Sequence, residues 1–227
     1  MRLVLFDIDG TLLRCGRQVA RVFTACLEEV YGTAGHLEGY SFAGRTDPGI
    51  VLDLMASAGL DRDTVVAGLP RMRRLYLERL AETLDASRMS LLPGVLELLE
   101  RLSAQPDVTV GLLTGNWRGG ARVKLGKFGL NRFFSFGAFG EDGFVRRDLL
   151  PRALARAQRS TGRSFRPEET LLVGDSVLDV DCGRVHGVAV LAVATGFTAA
   201  ADLDAAGARW VVPDLLTARD RIPMFSA

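Results

Sequence analysis

The chain has 227 residues, 48% hydrophobic and 24% charged, with 28 Lys plus Arg against 27 Asp plus Glu. This is the composition of a globular protein able to bury a substantial core; it argues against long disorder, a collagen-like repeat or a disulfide scaffold. A net charge of +1 provides no field that would draw nucleic acid or an anionic membrane surface.

No stretch approaches the roughly 18 apolar residues of a membrane span. The apolar run before Asp7 is too short for a signal peptide. Cys15, Cys26 and Cys182 are far apart and odd in number, the pattern of reduced thiols rather than a disulfide. The expectation is a cytoplasmic protein.

Leu3–Phe6 is a continuous apolar run, the mark of a strand buried on both faces. From about Cys15 to Arg88 no strand is predicted. Val19, Val22, Phe23, Cys26, Leu27 and Val30 repeat with helical spacing, and Gly32 ends that helix. Thr46-Asp47-Pro48 predicts a helix start with Asp47 as N-cap and Pro48 at the first position. A short third helix over Asp61–Ala67 and a fourth marked by Met72, Leu75, Tyr76 and Leu80 complete an all-helical insert. Beyond it, short apolar runs at Val108–Leu113, Phe133–Phe136, Leu171–Val173, Val188–Val193 and Trp210–Val212 alternate with helical patterns that begin at Val95, Arg118, Leu149 and Leu178. Strands alternating with helices imply a parallel sheet covered on both faces. The predicted fold class is α/β: a Rossmann-like, doubly wound parallel sheet (residues 1–14 and 89–227) with an inserted helical cap domain (residues 15–88).

Three polar clusters directly follow three apolar runs: Asp7-Ile8-Asp9-Gly10-Thr11, Thr114-Gly115-Asn116, and Gly174-Asp175-Ser176 with Asp179. Ligands of an open parallel sheet bind outside the carboxyl ends of its strands, so these clusters are expected to converge. In extended chain Asp7 and Asp9 point to the same side. Two ionised carboxylates in one small space repel, so either a cation lies between them or one holds a proton. With Asp175 the set is oxygen-rich and suited to Mg²⁺.

The motifs Asp-x-Asp-Gly-Thr, Thr-Gly-Asn and Gly-Asp-Ser-x-x-Asp, each after a strand, resemble those of the haloacid dehalogenase-like hydrolase superfamily. The helical insert falls where that superfamily places its first-type cap, and Pro93-Gly94 before a helix is similar to the phosphoglycolate phosphatase-like branch. The resemblance implies that Asp7 is a nucleophile forming an aspartyl phosphate and that Asp9 is the general acid and base. It assigns Mg²⁺ to the Asp7 side chain, the Asp9 carbonyl and Asp175. Thr114 and the Gly115 amide would hold phosphoryl oxygens, Asn116 would orient Asp9 or the substrate, and Asp179 would support the basic residue or a metal-bound water. That basic residue is usually Lys in the family. No Lys follows Lys127 here, so Arg146 or its neighbour Arg147 takes the role, with spacing favouring Arg146. Arg45, in a Gly-containing loop before a cap helix, is the candidate for an anionic group at the substrate's far end.

The implied function is a Mg²⁺-dependent phosphomonoesterase acting on a small phosphorylated metabolite, with a sugar phosphomutase as the alternative. Asp9 counts against a metal-free dehalogenase, and the lack of Lys in residues 15–88 excludes a Schiff-base phosphonate hydrolase. A catalytically silent binding protein on the same fold would be expected to lack one of the three aspartates. The expected partner is a small phosphate ester, with neither nucleic acid nor membrane.

Overall fold

The computed structural model describes residues 2–222. In chain order the elements are β1 (Arg2–Phe6), β2 (Leu13–Arg14), α1 (Gln18–Tyr31), α2 (Asp47–Ser57), α3 (Arg62–Thr83), β3 (Ser90–Leu91) and α4 (Val95–Ala104). There follow β4 (Val108–Leu113), α5 (Arg118–Gly126), β5 (Gly137–Ala138), α6 (Leu149–Thr161), β6 (Thr170–Gly174), α7 (Val177–Val185), β7 (Ala189–Val193), α8 (Ala200–Ala205), β8 (Trp210–Val212) and α9 (Leu215–Arg221).

Six strands pair in the order β5-β4-β1-β6-β7-β8, every pair parallel. The chain begins in the middle of the sheet, winds outward through β4 and β5, then returns to build β6, β7 and β8 on the other side. Alternation along β1 divides the core. Val4 and Phe6 pack with α4, α5 and α9 on one face, while Leu3 and Leu5 pack with α6, α7 and α8 on the other. The apolar faces of α1, α2 and α3, including Phe23, Leu54 and Met72, are continuous with the first of these clusters. No helix among the described residues is long and apolar enough to cross a membrane.

Between β2 and β3 the described chain contains helices and loops but no strand. The two crossings into and out of this stretch are tied together by an antiparallel pair, Leu13 with Leu91 and Arg14 with Ser90, which the sequence reading omits. Four details differ from expectation. Phe133–Phe136 is not a strand: Leu130–Phe133 forms a 3-10 turn, and the edge strand is the two-residue β5 one position later. Its small residues are required there, because a Cβ on Gly137 would lie 2.7 Å from that of Leu112. The two helices expected over Asp61–Ala67 and around Met72–Leu80 are one, α3, which runs through Pro70 because Val65, Met72, Tyr76 and Leu80 all bury along it. The cap of α2 is Thr46, whose Oγ1 accepts from Gly49 N at 3.1 Å; Asp47 and Pro48 lie just inside the helix. Helix α5, which the sequence pattern carries from Arg118 to Phe128 with Gly129 as its C-cap, stops at Gly126, and Gly129 adopts positive φ beyond it.

Candidate active site

Strands β4, β1 and β6 are neighbours, so the three polar clusters emerge side by side at their carboxyl ends. Asp7 follows β1 directly, and its N–H donates to Val173 O at 2.9 Å, which fixes it against β6. The Asp7 side chain is buried and meets Arg146 Nη2 at 3.1 Å. The same Nη2 donates to Leu113 O at 3.0 Å and bonds the Asp179 carboxylate. Arg146 is therefore the site's guanidinium, whereas Arg147 is exposed.

The carboxylates of Asp7, Asp175 and Asp179 offer oxygens that lie within 4.8 Å of one another. One guanidinium, Arg146, stands against these three carboxyl groups in a buried space, so with all three ionised two negative charges would go uncompensated. Burial pushes the Asp7 carboxyl up to about 6; Arg146 opposes the shift, while Asp179 and Asp9 add to it. Burial and the neighbouring Asp7 likewise raise Asp175 well above the carboxylate range. Asp175 accepts from Thr11 Oγ1 at 3.1 Å. It is cradled by Gly10 and Gly196, where an added Cβ would run into its carboxyl group. Asp179 serves twice, holding Arg146 and closing the first turn of α7 with Ser176, whose Oγ accepts from Asp179 N at 3.2 Å.

Asp9 faces a different set of partners. Its side chain is 42% exposed, and its Oδ2 accepts from Lys124 Nζ at 2.7 Å and from Asn116 Nδ2 at 2.7 Å. Lys124 Nζ also donates to Asn116 Oδ1 at 2.6 Å, and Asn116 Nδ2 to Thr114 Oγ1 at 2.9 Å. Burial works against the charge on Lys124, but Asp9 and its other acidic neighbours outweigh it and raise the pKa. The sequence reading overlooks Lys124 as a site residue. Two signals mark it: it is one of only two lysines, and it lies on the buried side of α5 with Gly120, Ala121 and Leu125.

Helix α2 meets the Thr114-Gly115-Asn116 loop directly. Asp47 N donates to Gly115 O at 2.7 Å, and the Asp47 carboxylate accepts from Trp117 N at 2.7 Å. A side chain on Gly115 would strike the Arg45 carbonyl, so glycine at this position permits the contact. Asp47 is a second residue the sequence reading assigns to capping alone; burial lifts its carboxyl to about 7. Trp117 is buried and packs with Phe23 and Tyr76 at ring separations of 6.0 and 5.6 Å. Arg45 is on the rim, its guanidinium donating to Asp53 at 2.7 Å and to Ser41 O at 3.0 Å, and lying over the Tyr40 ring. A cavity of about 680 Å³ spans the space between the aspartates and helices α1 to α3.

A sequence model of the haloacid dehalogenase-like hydrolases matches residues 4–193. The chain is 28% identical over 197 residues to a phosphoglycolate phosphatase of Mesorhizobium japonicum, covering 86% of this chain and 84% of that protein. It is also 28% identical over 226 residues to a phosphoglycolate phosphatase of Synechococcus elongatus, covering 96% and 97% of the two chains. Its fold superposes on that of a haloacid dehalogenase-like family hydrolase from Streptococcus pneumoniae with a TM-score of 0.68 at 21% identity, over 97% of this chain and 98% of the other. The match to the family model takes in all three strand-end clusters, and the structure brings those clusters together at the carboxyl ends of three neighbouring strands. The chain belongs to the haloacid dehalogenase-like hydrolases.

Proposed function

We propose that the protein is a Mg²⁺-dependent phosphomonoesterase that acts through an aspartyl phosphate on Asp7. The observation that carries this reading is the buried cluster of three carboxyl groups, Asp7, Asp175 and Asp179, around one guanidinium. Oxygen donors of this kind suit a hard divalent cation. Asp7, Asp175 and the Asp9 carbonyl are the groups that would hold Mg²⁺; when bound, it offsets the repulsion between anionic nucleophile and anionic phosphate.

An Asp7 carboxylate oxygen attacks phosphorus, and the bond from phosphorus to the ester oxygen breaks. Asp9 gives its proton to the departing oxygen. Asp9 then takes a proton from water as that water attacks phosphorus, the bond to Asp7 breaks, and inorganic phosphate leaves. Lys124 and Asn116 hold Asp9 from behind, which orients a carboxylate that otherwise stands half exposed. Thr114, the Gly115 amide and Arg146 receive phosphoryl oxygens; Arg146 Nε has no hydrogen-bond partner among the described residues. Residues 15–88 act as a cap over a catalytic core of residues 1–14 and 89–227, hinged at the β2–β3 pair. The names of the Mesorhizobium and Synechococcus relatives support a phosphatase.

The test is phosphate release from 4-nitrophenyl phosphate and from a panel of sugar phosphates with Mg²⁺, in chelator, and in Asp7→Asn. Turnover that chelator and Asp7→Asn each abolish is expected. Retention of a substantial rate by purified Asp7→Asn overturns the reading, and an isomeric sugar phosphate formed without phosphate release replaces it with a mutase.

A further inference from the structure

Beyond the aspartates, the wall of the 680 Å³ cavity changes character. Val19, Ala20 and Phe23 of α1, Phe42 of the following loop, Ile50 of α2 and Tyr76 of α3 line it. Most cations that reach this space have partners in the protein. Arg146 is held by Asp7 and Asp179, and Lys124 by Asp9 and Asn116. Arg45 is paired with Asp53, and Arg14 donates to Thr195 O. Arg17 stands exposed to water at the rim. A further carboxylate, Asp47, lines the same cavity. Among the described residues Arg14 and Arg17 have no acidic partner, but both stand at the exposed rim. A second anion placed deeper, among Val19, Phe23, Phe42 and Ile50, would be buried away from any unpaired cation, which is strongly unfavourable.

A second observation points the same way. Phe197, on the loop after β7, is 95% exposed and lines the mouth of this cavity. It follows Gly196, whose close packing on Asp175 anchors the loop to the metal-ligand candidates. An exposed aromatic ring beside the entrance of an apolar cavity has surface to give to an apolar occupant.

On the reading that Asp7 performs phosphate ester hydrolysis, we propose that the substrate is the phosphate monoester of an uncharged, mainly apolar alcohol. Its carbon skeleton occupies the space among Val19, Ala20, Phe23, Phe42 and Ile50, and Phe197 covers its outer end. The phosphoryl group is the substrate's only anion. This differs from phosphoglycolate, whose small leaving group carries a carboxylate.

The experiment compares kcat/KM at fixed Mg²⁺ for n-alkyl phosphates from ethyl to hexyl, and for 2-phosphoglycolate and 3-phosphoglycerate, in the wild type and in Phe197→Ser. The chemistry of the breaking bond is nearly constant along the alkyl series, so the trend reports burial of the chain. Specificity should rise about threefold to fourfold per methylene, the factor equivalent to ~0.8 kcal/mol per buried CH₂. Hexyl phosphate should exceed both carboxylate esters by more than tenfold. Phe197→Ser, at an exposed position that does not threaten folding, should compress the hexyl-to-ethyl ratio threefold or more. A flat series, or 2-phosphoglycolate ahead of hexyl phosphate, overturns the inference while leaving the hydrolase reading intact. An unchanged ratio in Phe197→Ser overturns the role given to that ring. Release of phosphate from none of these esters or from 4-nitrophenyl phosphate overturns both readings.

Discussion

Asparagine at position 7 tests the electrostatics of the site through folding, apart from any substrate. Asp7 is 4% exposed, and its carboxyl is lifted from 3.8 to about 6, mainly by burial. A carboxyl whose folded pKa lies above its unfolded value destabilises the fold once it ionises. The penalty is absent below about pH 3.8, grows as the pH rises, and is complete above about 6. A displacement of roughly two pKa units corresponds to about 3 kcal/mol. Asn resembles the neutral carboxyl in size, so Asp7→Asn should be more stable than the wild type in chelator at pH 8 by about that amount, or roughly 6–12 °C in melting temperature for a chain of this length. The gap should shrink as the pH falls from 6 toward 4. Mg²⁺ should also narrow it by stabilising the wild type alone, because a ligand that binds only the folded state adds to its stability. Urea unfolding and thermal melts between pH 4.5 and 8, with chelator and with Mg²⁺, measure all of this. A variant no more stable than the wild type at pH 8 without metal, or a gap indifferent to pH, would show that Asp7 is not the strained carboxylate of this cluster.

Arg146→Ala should lower kcat by on the order of 10²–10³, the loss seen when one electrostatic donor is removed from a reacting centre; the exposed Arg147→Ala should stay near wild type, and equal effects in steady-state assays would reassign the charge. Lys124→Met should cost about 1–3 kcal/mol in urea unfolding, below the range for breaking a fully buried pair, because Asp9 is 42% exposed and can rehydrate. The same variant should lower kcat more than it raises KM, since Asp9 loses its support; unchanged kcat would leave Lys124 a packing residue. Gly196→Ala places a methyl group against the Asp175 carboxyl, so the Mg²⁺ concentration for half-maximal activity should rise about 10- to 100-fold, the usual range when the surroundings of a metal ligand are disturbed. A Mg²⁺ titration indistinguishable from wild type would remove Asp175 from the metal site.

Much of the architecture was legible in the sequence because burial on both faces leaves an unambiguous trace. The runs at Leu3–Phe6, Val108–Leu113 and Leu171–Val173 are apolar without alternation, and they became the three central strands. Edge elements carry a weaker trace. The strand β5 is only Gly137–Ala138, and no hydrophobic pattern can announce two small residues chosen for close packing on Leu112. The sequence pattern divides helix α3 into Asp61–Ala67 and a piece marked by Met72 to Leu80; the helix runs unbroken through Pro70, a local stop signal, because burial of Met72, Tyr76 and Leu80 overrides it.

The site divides along the same line. Asp7, Asp9, Asp175 and Asp179 stand at positions that follow from strand ends and from spacing along the chain, so their identities and their common neighbourhood could be argued from sequence. Pairings across long separations could not. Lys124 reaches Asp9 from 115 residues away, and Arg146 reaches Asp179 from 33. Arg45 shows a limit of another kind: its loop placed it near the site, but its charge is met locally by Asp53, eight residues on in α2, a pairing that depends on how the loop folds back on the helix. Local sequence determines which residues have chemistry to offer and which strand end presents them. Which of those charges are already neutralised, and therefore what kind of substrate the remaining space accepts, depends on side chains brought together only when α1 to α3 close on the sheet.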